Sequence, residues 1–301
     1  ITPIRIQNHA AFESASVNLE HDTVYGQYNS LVQVDTDTYA LAYTGDGLDG
    51  YISTFTISAD GSTITLVETL EHDTANGIYN SLVQVDADTY ALAYTGNGND
   101  GFISTFTINS AGVITAVKTQ SEGNNLEHDT EHTEYNSLVQ VDADTYALAY
   151  TGDGSDGFIS TFTISADGTT ITEVATLEHD TARGESNSLV QVDADTYALA
   201  YSSSDSDGFI STFTINSAGV ITAVKTQSEG NNLEHDTVYG EFNSLVQVDA
   251  DTYALAYSGD GYDGFISTFT IDSDGDITPI RIQNHAAFES ASVNLEHDTV
   301  Y

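Results

Sequence analysis

Short runs of alternating apolar and polar residues fill this chain, and they come in sets of four. In the third set the runs are SLVQV (137–141), TYALAY (145–150), GFISTFTI (157–164) and ITEVATLEH (171–179). Val, Ile, Thr, Tyr and Phe dominate them, the residue types that suit a pleated, half-buried surface. A period of two over such lengths predicts strands. The separators DADT, TGDGSDG and SADGTT are dense in Asp and Gly, which tolerate left-handed turn geometry. No segment carries a helical apolar stripe of useful length. Within TYALAY, Tyr146, Leu148 and Tyr150 point one way while Ala147 and Ala149 point the other. A large face opposed to a small one suits a sheet held between two similar sheets. The expectation is an all-β chain, a five-bladed β-propeller of four-stranded antiparallel blades.

The sets are repeats. The core NSLVQVD(A/T)DTYALAY begins at Asn29, Asn80, Asn136, Asn187 and Asn243, spaced by 51, 56, 51 and 56 residues. A period near fifty points to propellers, solenoids or arrays. A second marker, LEHDT, begins at Leu19, Leu70, Leu126, Leu177, Leu233 and Leu295, so six markers accompany five cores. Length differences fall in the connection before LEHDT, where QSEGNN or a longer stretch is inserted. The string ITPIRIQNHAAFESASVNLEHDTVY stands at both 1–25 and 277–301 and carries both prolines, Pro3 and Pro279. The reading is one propeller domain over 1–301 with these two segments as its seam. Ile1, Pro3, Arg5, Ile277, Pro279 and Arg281 are then candidate assembly residues, able to occupy the same fourth-strand slot and to join one copy to another. The chain also lacks Met, initiator included, which reads as a processed or excised segment.

The blade plan resembles that of the WD-repeat family. LEHDT falls where that family has its Gly-His segment, NSLVQVDADTYALAY where its first two inner strands lie, and DGFISTFTI where its third lies. The Trp-Asp signature is absent, since the chain has no Trp. The phrases LEHDT and ALAYTGDG also resemble repeats of microbial surface and secreted proteins. The resemblance implies a propeller in which the His and Asp of LEHDT hydrogen-bond neighbouring loops.

Composition narrows the partners. Forty-six acidic residues face five basic ones, a formal charge of −41. Nucleic-acid binding is excluded, because phosphate neutralisation needs a basic footprint, and anionic lipid is equally disfavoured. No apolar run approaches the ~18 residues of a membrane span. There is no Cys, hence no disulfide, thiolate metal site or thiol redox chemistry. Such charge suits a salty or divalent-rich medium, and the expected location is extracellular or at the cell surface.

Three motifs offer chemistry. The GDGxDG loops supply the pairs Asp46 and Asp49, Asp153 and Asp156, and Asp260 and Asp263, which with exposed carbonyls offer oxygen to Ca²⁺. Their spacing also fits a tight Asp-Gly turn needing positive φ. IDSDGDIT adds Asp272, Asp274 and Asp276. The loops after LEHDT diverge most between repeats (VYGQY, ANGIY, EHTEY, ARGES, VYGEF), and Tyr25, Tyr28, Tyr79 and Tyr135 there supply aromatic surface for glycan recognition. The recurring LEHDT histidines read as structural, because an active site is an asymmetric constellation and these repeat around the ring. The sequence thus predicts a non-catalytic, extracellular structural or assembly protein whose partners are other copies of itself. A lectin-like propeller using the variable loops is the alternative. A glycoside hydrolase is a third reading, with carboxylates abundant but none singled out.

Overall fold

The structure is a computed structural model and describes residues 19–227 and 229–281, with the backbone alone of Leu295–Asp298. Ile1, Pro3 and Arg5 lie outside the described residues. The chain divides into two compact units, Ile1–His128 with Ser165–Ile171, and Asp129–Ile164 with Thr172–Tyr301. Among the described residues no helix is long and apolar enough to cross a membrane.

The first unit holds two antiparallel meanders. Sheet 1 comprises Gln27–Gln33, Thr38–Thr44, Gly50–Ile57 and Ile64–Asp73 in that order. Sheet 2 comprises Ile78–Gln84, Thr89–Thr95, Gly101–Ile108, and a fourth edge in two pieces, Ile114–Lys118 and Leu126–Asp129. The second unit repeats the plan three times. Sheet 3 is Glu134–Gln140, Thr145–Thr151, Gly157–Ile164 and Ile171–Asp180. Sheet 4 is Glu185–Gln191, Thr196–Ser202, Gly208–Ile215, then Ile221–Lys225 and Leu233–Asp236. Sheet 5 is Glu241–Asp249, Thr252–Ser258, Gly264–Ile271, then Ile277–Arg281 and Leu295–Asp298. The inserted QSEGNN therefore interrupts a fourth strand that continues along the same neighbour, and the rest of each repeat keeps its geometry.

Within each unit, successive sheets interlock large face on small face, as the TYALAY alternation predicts. Leu82, Tyr90, Leu92, Tyr94 and Phe106 of sheet 2 pack against Ala40, Ala42 and Ile52 of sheet 1. In the second unit, Tyr197, Leu199, Tyr201 and Phe213 of sheet 4 meet Ala147, Ala149 and Ile159 of sheet 3. Tyr253, Leu255, Tyr257 and Phe269 of sheet 5 meet Ala198, Ala200 and Ile210 of sheet 4. Each large side chain fully buried this way contributes about 1.5–3 kcal/mol. The alanines let the sheets approach closely enough for the rings to fill the gap.

The first strand of every sheet carries a bulge. Glu134 pairs with Thr151 but the next partner of the ladder is Ser137 opposite Ala149, one residue out of step. The residue forced into the left-handed region is Tyr28, Tyr79, Tyr135, Ser186 or Phe242, with φ between 51° and 55°. A bulge re-aims neighbouring side chains. Here it sits beside the first residue of the strand, the position that matters next.

Candidate active site

The LEHDT motif does not follow strand alternation. A register shift separates Tyr51 opposite Glu71 from Gly50 opposite Asp73. His72 and Asp73 are consequently both buried, while Glu71 stays exposed. His72 stands edge-on to Tyr94 at 4.8 Å and Phe106 at 5.9 Å, and His179 repeats this against Tyr201 and Phe213. Neither ring nitrogen of His72, His179 or His235 has a protein hydrogen-bond partner. At these three positions the expected histidine hydrogen bonds to loops are not made; the ring packs instead. Burial pushes His72, His128 and His235 down to about 3 and His179 to about 4. The aspartate does bond as expected. Asp180 Oδ1 accepts the N–H groups of Ala182 at 2.9 Å and Arg183 at 3.3 Å, and its Oδ2 accepts the Ser203 hydroxyl at 2.7 Å.

The GDGxDG loops are tight turns with two consecutive positive-φ residues, such as Gly47 at 76° and Leu48 at 70°. Asp46, Asp153 and Asp260 are exposed, whereas Asp49, Asp156 and Asp263 are half-buried. Asp49, Asp100, Asp156 and Asp207 each lie against the glutamate of LEHDT on the neighbouring strand. Desolvation, followed by these like charges, raises Glu71, Glu127, Glu178 and Glu234. Asp272 caps its own turn, accepting the N–H groups of Asp274 and Asp276, and Asp276 pairs with Lys225 at 2.8 Å. Among the described residues no group of three or more His, Cys, Asp or Glu is arranged to hold a metal. Tyr25 is exposed, and the Tyr28 and Tyr79 rings lie 4.4 Å apart. Ile277, Pro279 and Arg281 occupy the fourth strand of sheet 5, with Pro279 opposite Phe269.

The asymmetric feature is the first residue of the first strand. In sheets 1 and 2 it is Gln27 and Ile78; in sheets 3, 4 and 5 it is Glu134, Glu185 and Glu241. Backbone pins hold this position. The Gly184 N–H donates to Ser155 O at 2.9 Å and its carbonyl accepts the Thr151 hydroxyl. Gly240 is held likewise by Ser206 O and the Ser202 hydroxyl. With a pinned residue before it and the bulge after it, each glutamate has little freedom of direction.

Arg183, two residues before Glu185, ties these positions together. Its guanidinium donates to Glu185 Oε2 at 2.5 Å and to the Ser206 hydroxyl at 3.0 Å, and stands 3.8 Å from Glu241 Oε1. The hydrogen bond from Arg183 to Glu185 raises the guanidinium further above its ordinary range. The other oxygen of Glu241 accepts the Tyr239 hydroxyl at 2.6 Å. Burial, then this carboxylate, raises the Tyr239 phenol, whose ring lies edge-on to Tyr262 at 5.2 Å. On sheet 3, His132 Nε2 stands 3.6 Å from Glu134 Oε1. Tyr135, next along that strand, lies within electrostatic reach of Arg183. Carboxylates of this kind can accept a proton from water, and a fixed guanidinium can stabilise an oxyanion. The signal was present in EHTEY, ARGES and VYGEF, where one register position turns acidic in three successive repeats.

Comparison with known proteins places the fold. The family described as "Lactonase, 7-bladed beta-propeller" matches residues 9–287. No curated protein matches the chain. Solved structures share the fold at low identity. A Bacteroides fragilis protein described as a 6-phosphogluconolactonase is 15% identical, with a TM-score of 0.63, covering 84% of this chain and 70% of that one. A Lactobacillus plantarum protein is 17% identical, with a TM-score of 0.60, covering 84% and 69%. The periplasmic gluconolactonase of Pseudomonas aeruginosa is 10% identical, with a TM-score of 0.51, covering 85% and 84%. The fold is an all-β propeller of four-stranded antiparallel blades. Three expectations are corrected by the family match. The kinship is neither with WD-repeat proteins nor with LEHDT-type surface repeats. The reading as a non-catalytic structural or assembly protein falls, and so does the conclusion that the chain is not an enzyme. That conclusion rested on the identity of the repeats, which breaks down at Glu134, Arg183, Glu185 and Glu241.

Proposed function

The chain belongs to the seven-bladed β-propeller lactonase family, and on that footing we propose that it hydrolyses the ester bond of a lactone. The observation that carries the reading is Arg183, held between Glu185 and Glu241 in the loops after LEHDT, where the repeats diverge most. Glu134, partnered by His132, takes a proton from water as the water oxygen adds to the lactone carbonyl. Arg183 stabilises the oxyanion of the tetrahedral intermediate, and Glu185 and Glu241 orient it. Collapse breaks the bond from the acyl carbon to the ring oxygen. That oxygen recovers the proton from the Glu134–His132 pair, leaving an open hydroxy acid. Tyr239, oriented by Glu241, supports this as a hydrogen-bond donor to the substrate.

For the architecture we infer five blades, one per repeat core, against seven in the family description. For location we infer a compartment outside the cytoplasm, supported by the −41 charge, the absence of Cys and the likeness to a periplasmic protein. The test is pH-stat titration of acid released from D-glucono-δ-lactone. Glu134→Gln and Arg183→Met should each lower kcat by roughly 10²-fold, the scale of losing one oxyanion donor or a general base. Wild-type protein that releases no acid above background from any of a panel of γ- and δ-lactones would overturn the reading.

A further inference from the structure

Within each unit, the turn between the third and fourth strands of one sheet lies against the sheet before it, and one register there carries charge. In sheet 1 it is Glu68, which accepts the Ile114 N–H at the end of the next turn at 2.8 Å. In sheets 2 and 4 it is Lys118 and Lys225, the two lysines of the chain, embedded in the same string ITAVKTQSEGNNLEHDT. The turns that face these lysines differ. Sheet 5 closes its turn with Asp276, whose carbonyl accepts the Asp272 N–H at 3.2 Å and whose carboxylate takes Lys225 Nζ at 2.8 Å. Sheet 3 closes the equivalent turn with Thr170, whose carbonyl accepts the Ser165 N–H at 3.0 Å. The two turns are anchored alike, since Thr105 and Thr212 donate to the carbonyls of Gly168 and Gly275. A threonine therefore stands where the other copy has a carboxylate.

Lys118 is left with fewer partners. Its ammonium donates to the Asn124 carbonyl at 3.3 Å, and among the described residues no carboxylate pairs with it. A cavity of about 200 Å³ opens beside it, with Asn124, Asn125, Thr169 and Thr170 also in its wall, all within the first compact unit. The wall is braced. Asn124 Oδ1 accepts the Thr119 N–H at 3.0 Å, and Asn125 Nδ2 donates to the Tyr94 hydroxyl at 3.1 Å. Asp167 of the facing turn is engaged with Ser165 and Thr169 at 2.7–3.0 Å. An ammonium with donors to spare, beside hydroxyls and amides, suits an anion that also carries hydroxyl groups. The volume lies below the roughly 300–1,000 Å³ of drug-sized sites, so the ligand is small.

We propose that the cavity beside Lys118 binds a small hydroxylated carboxylate, its carboxylate standing where the Asp276 side chain stands beside Lys225. The site shares no residue with the Arg183 cluster and does not rest on the lactone reading. The net charge of −41 opposes any anion. At 0.15 M salt, however, exposed charges beyond about 8 Å are largely screened, whereas a contact pair is screened much less.

The two lysines provide an internal control. In protein carrying isotope-labelled lysine, D-gluconate is titrated at constant ionic strength and both side-chain signals are followed by NMR. The Lys118 signal should shift and saturate with a midpoint of about 1–10 mM, while the Lys225 signal stays in place. D-Glucitol, the same carbon chain without the carboxylate, should move neither. Thr170→Asp, in an exposed turn, should weaken the Lys118 response at least about tenfold, the scale of losing a hydrogen bond to a charged group. Asp276→Thr, the reverse exchange, should make Lys225 respond. A Lys118 signal indifferent to D-gluconate would overturn the proposal. So would equal, non-saturating shifts of both lysines, the mark of a general ionic effect. A Lys225 that stays silent in Asp276→Thr would also count against it, since the facing carboxylate would then not be what separates the two positions.

Discussion

A methyl group added to Gly184 would sit 2.2 Å from the Cα of Gly157, and one added to Gly77 would meet Gly50 at the same distance. Both neighbours are backbone, so neither can step aside cheaply. Gly184→Ala and Gly77→Ala should each cost about 1–3 kcal/mol in urea denaturation, the range for overpacking a fitted contact. Their effects on catalysis should differ. Gly184 precedes Glu185 in the Arg183 cluster, whereas Gly77 precedes Ile78 on a sheet without that cluster. Lactone turnover should fall well beyond the folded-fraction loss for Gly184→Ala and track that loss for Gly77→Ala. Equal specific activity in the two folded variants would remove Glu185 from the site.

At the scale of elements, the turn after LEHDT links fold to function. Asp180 holds the backbone of Ala182 and Arg183 and binds the Ser203 hydroxyl. Asp180→Ala leaves those donors without their acceptor, at about 1–3 kcal/mol for a buried group left unmade. Because Arg183 loses its anchor, kcat should fall while a matched change at Asp73, in the turn before Ile78, leaves kcat intact. Thermal melts alongside initial rates separate the two effects. The strands themselves were legible: TYALAY and GFISTFTI declare both their period and their large and small faces. The LEHDT segment was not legible in the same way, because strand alternation assumes an unbroken ladder. The shift beside Gly50 turns His72 and Asp73 inward together, and no residue type in the motif announces it. The site was half legible. Sequence divergence marked the loops that carry Glu134, Arg183, Glu185 and Glu241, but Arg183 reaches both Glu185 and Glu241 only because sheets 4 and 5 stack. That contact joins residues more than fifty positions apart.

For the whole molecule, 46 acidic groups against five basic ones make two opposite statements about conditions. The first concerns substrate. An anionic lactone must approach against that field, so D-glucono-δ-lactone should have a higher kcat/KM than its 6-phosphate, with the gap narrowing as NaCl is raised; a phosphate ester preferred at low salt would refute this. The second concerns acid. Charge alone says that acidification should stabilise the chain by neutralising mutually repelling carboxylates. The raised Glu71, Glu127, Glu178 and Glu234 point the same way: their folded forms bind protons more readily, so a cost present above the folded pKa is relieved as pH falls through it. These groups are mainly solvent-facing, and their contribution is screened. The buried histidines oppose it. With folded values near 3–4 and an unfolded value of about 6.5, the unfolded chain takes up protons first. Their stabilisation is complete above about pH 6.5 and is lost as pH falls toward the folded values. Each histidine contributes up to about 1.4 kcal/mol per pH unit, and four together outweigh the screened glutamates between pH 6.5 and 5. The melting temperature at constant ionic strength should therefore fall, not rise, from pH 7 to pH 5. His72→Gln with His179→Gln should flatten that slope by about half, even though the double variant starts from a lower melting temperature. A wild-type melting temperature that climbs steadily down to pH 5 would mean that the imidazoles ionise in place.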